Sequence, residues 1–373
     1  MPYTSVDIET FKKNVDAAKY MPKMIESITG IPDSYAADNI FGQDRVLTNA
    51  LSWYDSEHIE TISLVKFSTQ LGKYEPVGTG TVKAAEYEPK PLKLIKSYDA
   101  ETLHKLSVIM SKSPTQITAG CLKTFLLHEK NLFINQAHQF FSDGIITYPL
   151  YDEQGIVVND GDSINYKTYY LSGNSAAIYS YDKTNTTLVE TWNGSGHTAQ
   201  MIYASLLKLI KQGQTNTNKK HFMNIGNIVV VASDTAFAAL APLIVSTLPA
   251  NQNWIRMDGF DYLIGFGNNT IRIVNDNMTY YTWVKAAGAV TWTASSAVAV
   301  AADTIRIIDN TKGNFKTINL KFLDQDNVKS SGTSPYTIVT DVPAPGEILN
   351  VYYRSKTLLW GDPSAFMKVD VLE

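Results

Sequence analysis

Cysteine is all but missing. Cys121 is the single thiol in 373 residues, so no intramolecular disulfide can form. It falls in a stretch that reads as amphipathic helix, where a free thiol is expected to be a small, inert, buried hydrophobe. Charge is also scarce: charged residues make up 18% of the chain, below the usual quarter, while Tyr, Thr, Asn and Ser are plentiful. The surface is therefore expected to be neutral-polar rather than ionic. Against 36 Asp and Glu stand 32 Lys and Arg, a net charge of −4, and no basic run occurs anywhere, which excludes a DNA-reading face. No stretch approaches the ~20 apolar residues of a membrane span, and the opening MPYTSVDIETFKKNVDAAKYM has no signal-peptide core. The chain is thus expected to be made and kept in a cytosol. Four tripeptides fit the glycosylation acceptor pattern, at Asn185, Asn193, Asn268 and Asn277, and without a secretory signal they are expected to stay unmodified.

Apolar residues are not lacking. At 44% hydrophobic, the chain can bury a core without staples, and its length suggests two to three packing units at one per roughly 150 residues. Residues 3–29 hold two short helical patterns, around Val6, Phe11, Val15 and Ala18 and around Met21, Met24, Ile25 and Ile28, split by Pro22. Pieces this short do not fold alone, so the region reads as an arm that gains order by lying on something else. From Glu60 to Asp99 two strands are expected, led by Ile62, Leu64 and Phe67 and by Leu92, Leu94 and Ile95, around a tip marked by Gly72, Pro76, Gly78 and Gly80. That tip, Lys73 to Pro91, has almost no large aliphatic side chain to bury on its own domain, which suits a segment bound to a neighbour.

The strongest local signal is SPTQITAGCLKTFLLHEKNLFINQAHQFFSDG, residues 113–144. Ser113 can cap, Pro114 suits the first helical position, Gln116 completes a capping box, and Gly144 supplies the left-handed stop. Between them Ala119, Leu122, Phe125, Leu126, Phe133, Ala137, Phe140 and Phe141 form one stripe on a helix roughly 45 Å long at about 1.5 Å per residue. Strands are expected at 145–151, 155–159 and 164–171, separated by turns at Glu153-Gln154-Gly155 and Asn159-Asp160-Gly161. A second helix is expected over His197 to Lys211. It is followed by a buried strand over Ile228 to Val231, a cap at Ser233 or Asp234, and a short helix interrupted by Pro242. TIRIVND at 270–276 is echoed by TIRIIDN at 304–310, two similar strands rather than a repeat architecture. The tail returns to a sheet begun earlier.

Catalytic patterns fail one by one. His128-Glu129 would need a second histidine where Leu132 stands, and His58, His104, His128, His138, His197 and His221 never pair at metal-ligand spacing. Gly78-Thr79-Gly80-Thr81 lacks the rest of a nucleotide loop, and Gly194-Ser195-Gly196-His197 is not a nucleophile elbow. No carboxylate pair is nominated. The expectation is a protein whose product is an interface, with no catalytic, cofactor-binding or metal residue.

The order of parts (arm, glycine-tipped hairpin, long capped helix, β layer, αβα unit and returning tail) resembles the Hong Kong phage-type capsid fold, and in detail the lambda-type major capsid protein E family of tailed bacteriophages. The matching residues are the loop His58 to Ser97 with Lys73-Tyr74-Glu75-Pro76, the helix Ser113 to Gly144 ending in FFSDGIITY, the segment Asn193 to Gln212, and NIGNIVVVASDTAF at 224–237. The resemblance implies an α+β chain with an arm over 1–57, an extended loop over 58–97, a peripheral domain over 98–192 with its spine helix at 114–143, an axial domain over 193–340, and strands over 341–373 returning to the peripheral domain. Residues 286–340 read either as an insertion or as a divergent axial region. The resemblance further implies a virion shell built in the host cytoplasm from hexamers and pentamers of this chain. Implied partners are a scaffolding protein, a portal at one vertex, a decoration protein, and packaged DNA held non-specifically on the inner face, with no membrane and no cofactor. Inter-subunit contacts are expected at Lys73, Tyr74, Glu75, Pro76, Gly78, Gly80, Lys83, Phe11 and Tyr20. Related shells are tied by a loop lysine and a neighbour's asparagine, for which Lys83, Lys90 and Asn350 are the positions here. Two other readings stand beside it: an encapsulin-like compartment, and a β-rich carbohydrate-binding or carbohydrate-active virion protein, suggested by the aromatics between Trp254 and Trp292.

Overall fold

The computed structural model describes Lys13 and residues 34–48, 50–59, 81–89, 91–109, 114–151, 157–165, 179–181, 192–196, 198–215, 225–247, 255–258, 261–266, 269–276, 278–280, 283–284, 293–294, 304–321, 336–341, 348–362 and 365–372. The class is α+β. A single π-helical turn, Ala36–Phe41, precedes β1 (Arg45–Leu47), β2 (Trp53–Ile59), β3 (Thr81–Tyr87) and β4 (Leu92–Asp99). A helix over Ala100–Ile109 follows, capped by Asp99, whose Oδ1 accepts the Thr102 amide at 2.5 Å. Hydrogen bonds from the Thr102 side chain and amide hold that carboxyl below its ordinary range.

The long helix spans Pro114–Asp143. It stops where Gly144 takes φ 66° and donates its amide to the Phe140 carbonyl at 2.7 Å, the left-handed end that a glycine permits. Its expected cap, Ser113, lies outside the described residues. Next come β5 (Ile145–Tyr151) and β6 (Val157–Asn165), an antiparallel pair. The expected turn at Asn159-Asp160-Gly161 does not break β6. Instead the register slips there, with Tyr148 opposite Asp162 and Leu150 opposite Asn159, so the turn-prone residues are absorbed as a bulge.

After β7 (Tyr179–Tyr181) the helix Ala199–Thr215 starts at Thr198, whose Oγ1 lies 3.4 Å from the Met201 amide. It runs through Gly213, beyond the stop expected at Lys211, because one glycine weakens a helix by only ~1 kcal/mol and does not end it. Then come β8 (Ile228–Ala232) and the helix Asp234–Thr247, which contains Pro242. Ser233 is its cap, since its Oγ accepts the Ala236 amide at 3.2 Å. The remaining strands are β9 (Ile255–Asp258), β10 (Asp261–Phe266), β11 (Asn269–Asn275), β12 (Trp283–Val284), β13 (Thr293–Ala294), β14 (Thr304–Asp309), β15 (Phe315–Asn319), β16 (Tyr336–Asp341), β17 (Ile348–Ser355), β18 (Thr357–Gly361) and β19 (Phe366–Asp370).

Seven strands form the main sheet, in the order β7-β19-β14-β8-β11-β10-β9. β8 lies at its centre and is buried on both faces, which explains its unbroken apolar run. Val229 and Val231 face one core with Phe140, Phe141 and Ile308, while Val230 and Ala232 face a second with Ile202, Leu206, Leu240 and Ile305. The long helix thus covers one face of this sheet, and the helices Ala199–Thr215 and Asp234–Thr247 cover the other. Two three-stranded sheets, β1-β15-β18 and β16-β17-β4, complete the body, with β2 and β3 as a separate pair.

Three expectations are corrected here. Residues 304–320 are not an insertion: β14 sits between β8 and β19, and β15 between β1 and β18. The tail does not return to one domain, because β17 joins β4, β18 joins β15, and β19 enters the main sheet. That sheet therefore draws strands from 98–192, 193–340 and 341–373 alike, and the boundaries expected at 193 and 341 cut through it. Finally, β3 lies inside the segment read as loop tip and pairs with β2, while Leu92–Asp99 pairs with β17; the other expected strand, led by Ile62, Leu64 and Phe67, lies outside the described residues. Thr81, Val82 and Tyr87 give that return strand its β-forming character.

Candidate functional site

Residues 14–33 and 60–80 lie outside the described residues, and the side chains that flank them, around Ser34 and around the β2–β3 ladder, are tied to the body by several hydrogen bonds. The expected helices of the arm, with Phe11 and Tyr20, lie outside the described residues. So do Lys73, Tyr74, Glu75, Pro76, Gly78 and Gly80 of the loop, and Lys90.

The described chain after residue 33 begins at Ser34, which is buried. Its hydroxyl lies 2.8 Å from Nε2 of His138, and the Nδ1–H of that ring donates to the Thr279 carbonyl at 2.7 Å. Asp276 accepts the Ala36 amide at 3.2 Å and the Met278 amide at 3.3 Å, and its Oδ2 stands 3.2 Å from the Ser34 hydroxyl. Serine, histidine and aspartate meet here without making a catalytic triad. The ring nitrogen that an aspartate would orient is held by a backbone carbonyl, and the hydroxyl is buried. One turn further on, Asp38 accepts the Ser34 amide at 3.0 Å and forms an ion pair with Lys130 of the long helix. The π-helical turn buries Ala36, Ala37, Ile40 and Phe41 against the body and leaves Asn39 exposed.

The hairpin root is fastened separately. β2 and β3 pair from Trp53 opposite Tyr87 to Ile59 opposite Thr81. Just below, the buried Lys356 donates from Nζ to the Leu51 carbonyl at 2.7 Å and to Glu88 Oε1 at 3.1 Å, so one ammonium holds the chain before β2 and after β3. Residues 48–50 are stitched to 319–321 by the Thr48 amide on the Asn319 carbonyl at 3.1 Å and the Lys321 amide on the Ala50 carbonyl at 2.9 Å. The Lys316 ammonium lies 6.0 Å from the Trp53 ring and 5.0 Å from the Trp360 ring, cation–π distances across the same root.

Glu88 is 66% exposed, so its ion pair with Lys356 counts for little, and the bond from the buried Lys356 ammonium to the Leu51 carbonyl carries the effect. Lys356→Met is expected to cost about 1–3 kcal/mol and to raise amide exchange in β2 and β3 before the main sheet. Native-state hydrogen exchange checks this, and uniform protection in both proteins would remove Lys356 from the root.

Of the residues nominated from sequence, Lys83 lies in β3 opposite Glu57. Asn350 lies in β17 between Asp341 and Ser97, with the Ser97 hydroxyl donating to its Oδ1 at 2.7 Å. Sequence reasoning missed Ser34, His138, Asp276 and Lys356. No local pattern marks them, because their partners stand between 104 and 305 positions away. Among the described residues there is no cluster of three or more His, Cys, Asp or Glu able to hold a metal ion, and no helix long and apolar enough to cross a membrane.

No protein-family model and no curated protein matches this chain. Among solved structures it is similar to a protein described as a prophage capsid protein of Escherichia coli CFT073, at 11% identity over 99% of both chains with a TM-score of 0.49. It is also similar to the capsid of an empty GTA particle, at 11% identity over 96% of this chain and 98% of that one with a TM-score of 0.46. The SrpI encapsulin of Synechococcus elongatus PCC 7942 is 8% identical over 95% of both chains, with a TM-score of 0.45.

Proposed function

We propose that this chain is the major capsid protein of a tailed bacteriophage, built on the Hong Kong phage-type capsid fold and assembling as hexamers and pentamers into the icosahedral shell around double-stranded DNA. One observation carries the reading: a body braced by a 30-residue helix fastens the chain beside an apolar-striped arm too short to fold alone and a loop whose tip has little to bury upon its own domain. The arm over 1–57 and the extended loop over 58–97 then supply the contacts to neighbouring copies, with Phe11, Tyr20, Lys73, Tyr74, Glu75, Pro76, Gly78, Gly80 and Lys83 among them. Fixed roots with variable tips suit a lattice in which the same surfaces meet in slightly different geometries. Contacts spread along two such segments exceed the ~2,000 Å² of ordinary complexes, so each can be individually weak.

The net charge of −4 fits a container. A strongly basic wall would hold DNA by counterion release, whereas a near-neutral one lets it slide in and out. Partners in this reading are further copies of the chain, a scaffolding protein, a portal, a decoration protein and the packaged genome, with assembly in the host cytoplasm. Negative-stain electron microscopy of the expressed chain, alone and with a candidate scaffold, tests it. Closed shells, rings of five or six, or sheets are expected. Compact monomers or dimers under every condition would overturn it, and shells formed by the chain alone would favour the encapsulin-like compartment.

A further inference from the structure

The network around Ser34 has one acceptor too many for a neutral ring and a carboxylate. Nδ1 of His138 must carry a proton, because the Thr279 carbonyl 2.7 Å away can only accept. The Ser34 hydroxyl then has a single proton for two neighbours, Nε2 of His138 at 2.8 Å and Oδ2 of Asp276 at 3.2 Å. With Nε2 bare, both neighbours are acceptors and one of them goes without. With Nε2 protonated, every contact closes. The ring donates to the hydroxyl, the hydroxyl donates to Asp276, and the imidazolium stands 3.8 Å from the other carboxylate oxygen. The Ala37 amide, 3.4 Å from Ser34 Oγ, adds a donor to that oxygen and no acceptor. Ser34 and His138 are buried and the Asp276 side chain is only 13% exposed, so little water reaches the group left short.

We propose that Ser34, His138 and Asp276 form a proton-held latch, which fastens the π-helical turn Ala36–Phe41 to the long helix and to the chain after β11 while the cluster keeps one extra proton, and loosens when that proton leaves. The Asp276 carboxylate accepts the Ala36 and Met278 amides, which favours its ionised form, so the extra proton rests on the ring. Without it, Nε2 and the carboxylate compete for one hydroxyl, and the turn is the element that gives, since its first amides bond Asp276, the Ser34 hydroxyl and the Ser34 carbonyl. The other charged groups close by are paired among themselves. Asp38 of the turn is joined to Lys130 of the long helix, and Tyr35 is faced by Arg272 of β11 and Asp261 of β10, which bond each other at 2.6 Å. Burial holds the Tyr35 hydroxyl above its ordinary value, so it keeps its proton where a histidine changes charge. The sign follows. Above the ordinary imidazole value of about 6.5 the opened chain lacks this proton and the folded cluster holds it. The contribution of the latch is therefore fully present below that value and is lost as pH rises to the point where the folded cluster deprotonates. The latch does not depend on whether the chain builds a shell.

Native-state hydrogen exchange of the whole chain from about pH 6 to about pH 9 tests it, read as protection factors so that the intrinsic pH dependence of exchange cancels. Protection of the Ala36–Phe41 amides is expected to fall about tenfold per pH unit above the ordinary imidazole range, the slope that one proton imposes, and then to level. His138→Gln keeps an N–H for the Ser34 hydroxyl but binds no proton, and its profile is expected to be flat. Nitrogen NMR of the wild type at about pH 7 is expected to show both ring nitrogens of His138 protonated. A flat wild-type profile, an equal fall in His138→Gln, or a bare Nε2 in the wild type would each overturn the latch. The first and the last need no variant, so a His138→Gln chain that does not fold leaves the test intact.

Discussion

Phe140→Ala is expected to destabilise the chain by about 3–5 kcal/mol, the largest loss of any single truncation in this core. Phe140 is fully buried at the C-terminal end of the long helix. Its ring meets Phe41 at 5.4 Å, Phe141 at 5.4 Å, Phe366 at 5.5 Å and Phe315 at 6.2 Å, mostly edge to face. Those partners come from the π-helical turn, the helix itself, β19 and β15, so one ring joins the main sheet to the β1-β15-β18 sheet. The site has no room to rearrange: a Cβ on Gly361 would lie 2.7 Å from Phe140 Cζ and 2.9 Å from Phe315 Cδ1. Neighbours packed this tightly cannot collapse into the space left, and the cavity term adds to the lost transfer energy. Urea denaturation should show a lower midpoint at unchanged slope. A loss below about 1 kcal/mol would mean that the cluster is not the keystone described.

The second large effect concerns assembly rather than stability. Ile59 and Thr81 stand opposite each other at the end of the β2–β3 ladder, so residues 60–80 can be replaced by a two-residue Asn-Gly turn without disturbing the pairing. The shortened chain is expected to fold with a Tm within a few degrees of the intact one, since Lys356 and the 48–50 to 319–321 ladder still hold the root. Closed shells, in contrast, should disappear. Circular dichroism and negative-stain microscopy on the same preparation check both halves. Normal shells from the shortened chain would remove the loop from the mechanism, and a subunit that fails to fold would mean the loop belongs to the core.

How far local signals reach is plain from particular residues. The long helix could be read to its last residue because its terminator acts locally: Gly144 at φ 66° closes onto Phe140, four residues away. Ser233 could be named as a cap for the same reason, and β8 as a buried strand because an unbroken apolar run needs cover on both faces. His138 and Asp276 showed no sign of their shared network, which brings residues 34, 138 and 276 together. Nothing near Arg306 in the sequence, where it stands between Ile305 and Ile307, marks what it bonds. It is 1% exposed, and its Nε donates at 2.8 Å to the Phe141 carbonyl, one of the last carbonyls of the long helix, while Nη1 bonds Thr304 Oγ1 at 2.9 Å. A cation at a helix C-terminus answers both the dipole and an orphan carbonyl, but only the fold brings β14 there.

The sequence by itself determined the long helix with its glycine stop, the helix capped by Ser233, the strand-forming runs, the weak charge and a loop tip with little to bury, all properties of residues within a few positions of one another. Tertiary structure alone decided the pairings: β2 with β3 and Leu92–Asp99 with β17, β14 between β8 and β19 inside the main sheet, and the tail shared among three sheets. The reason is physical. A strand's free energy depends on which partner shields its face and accepts its hydrogen bonds, and strands as alike as Thr270–Asp276 and Thr304–Asn310 differ only in the neighbours that the whole chain, once folded, puts beside them.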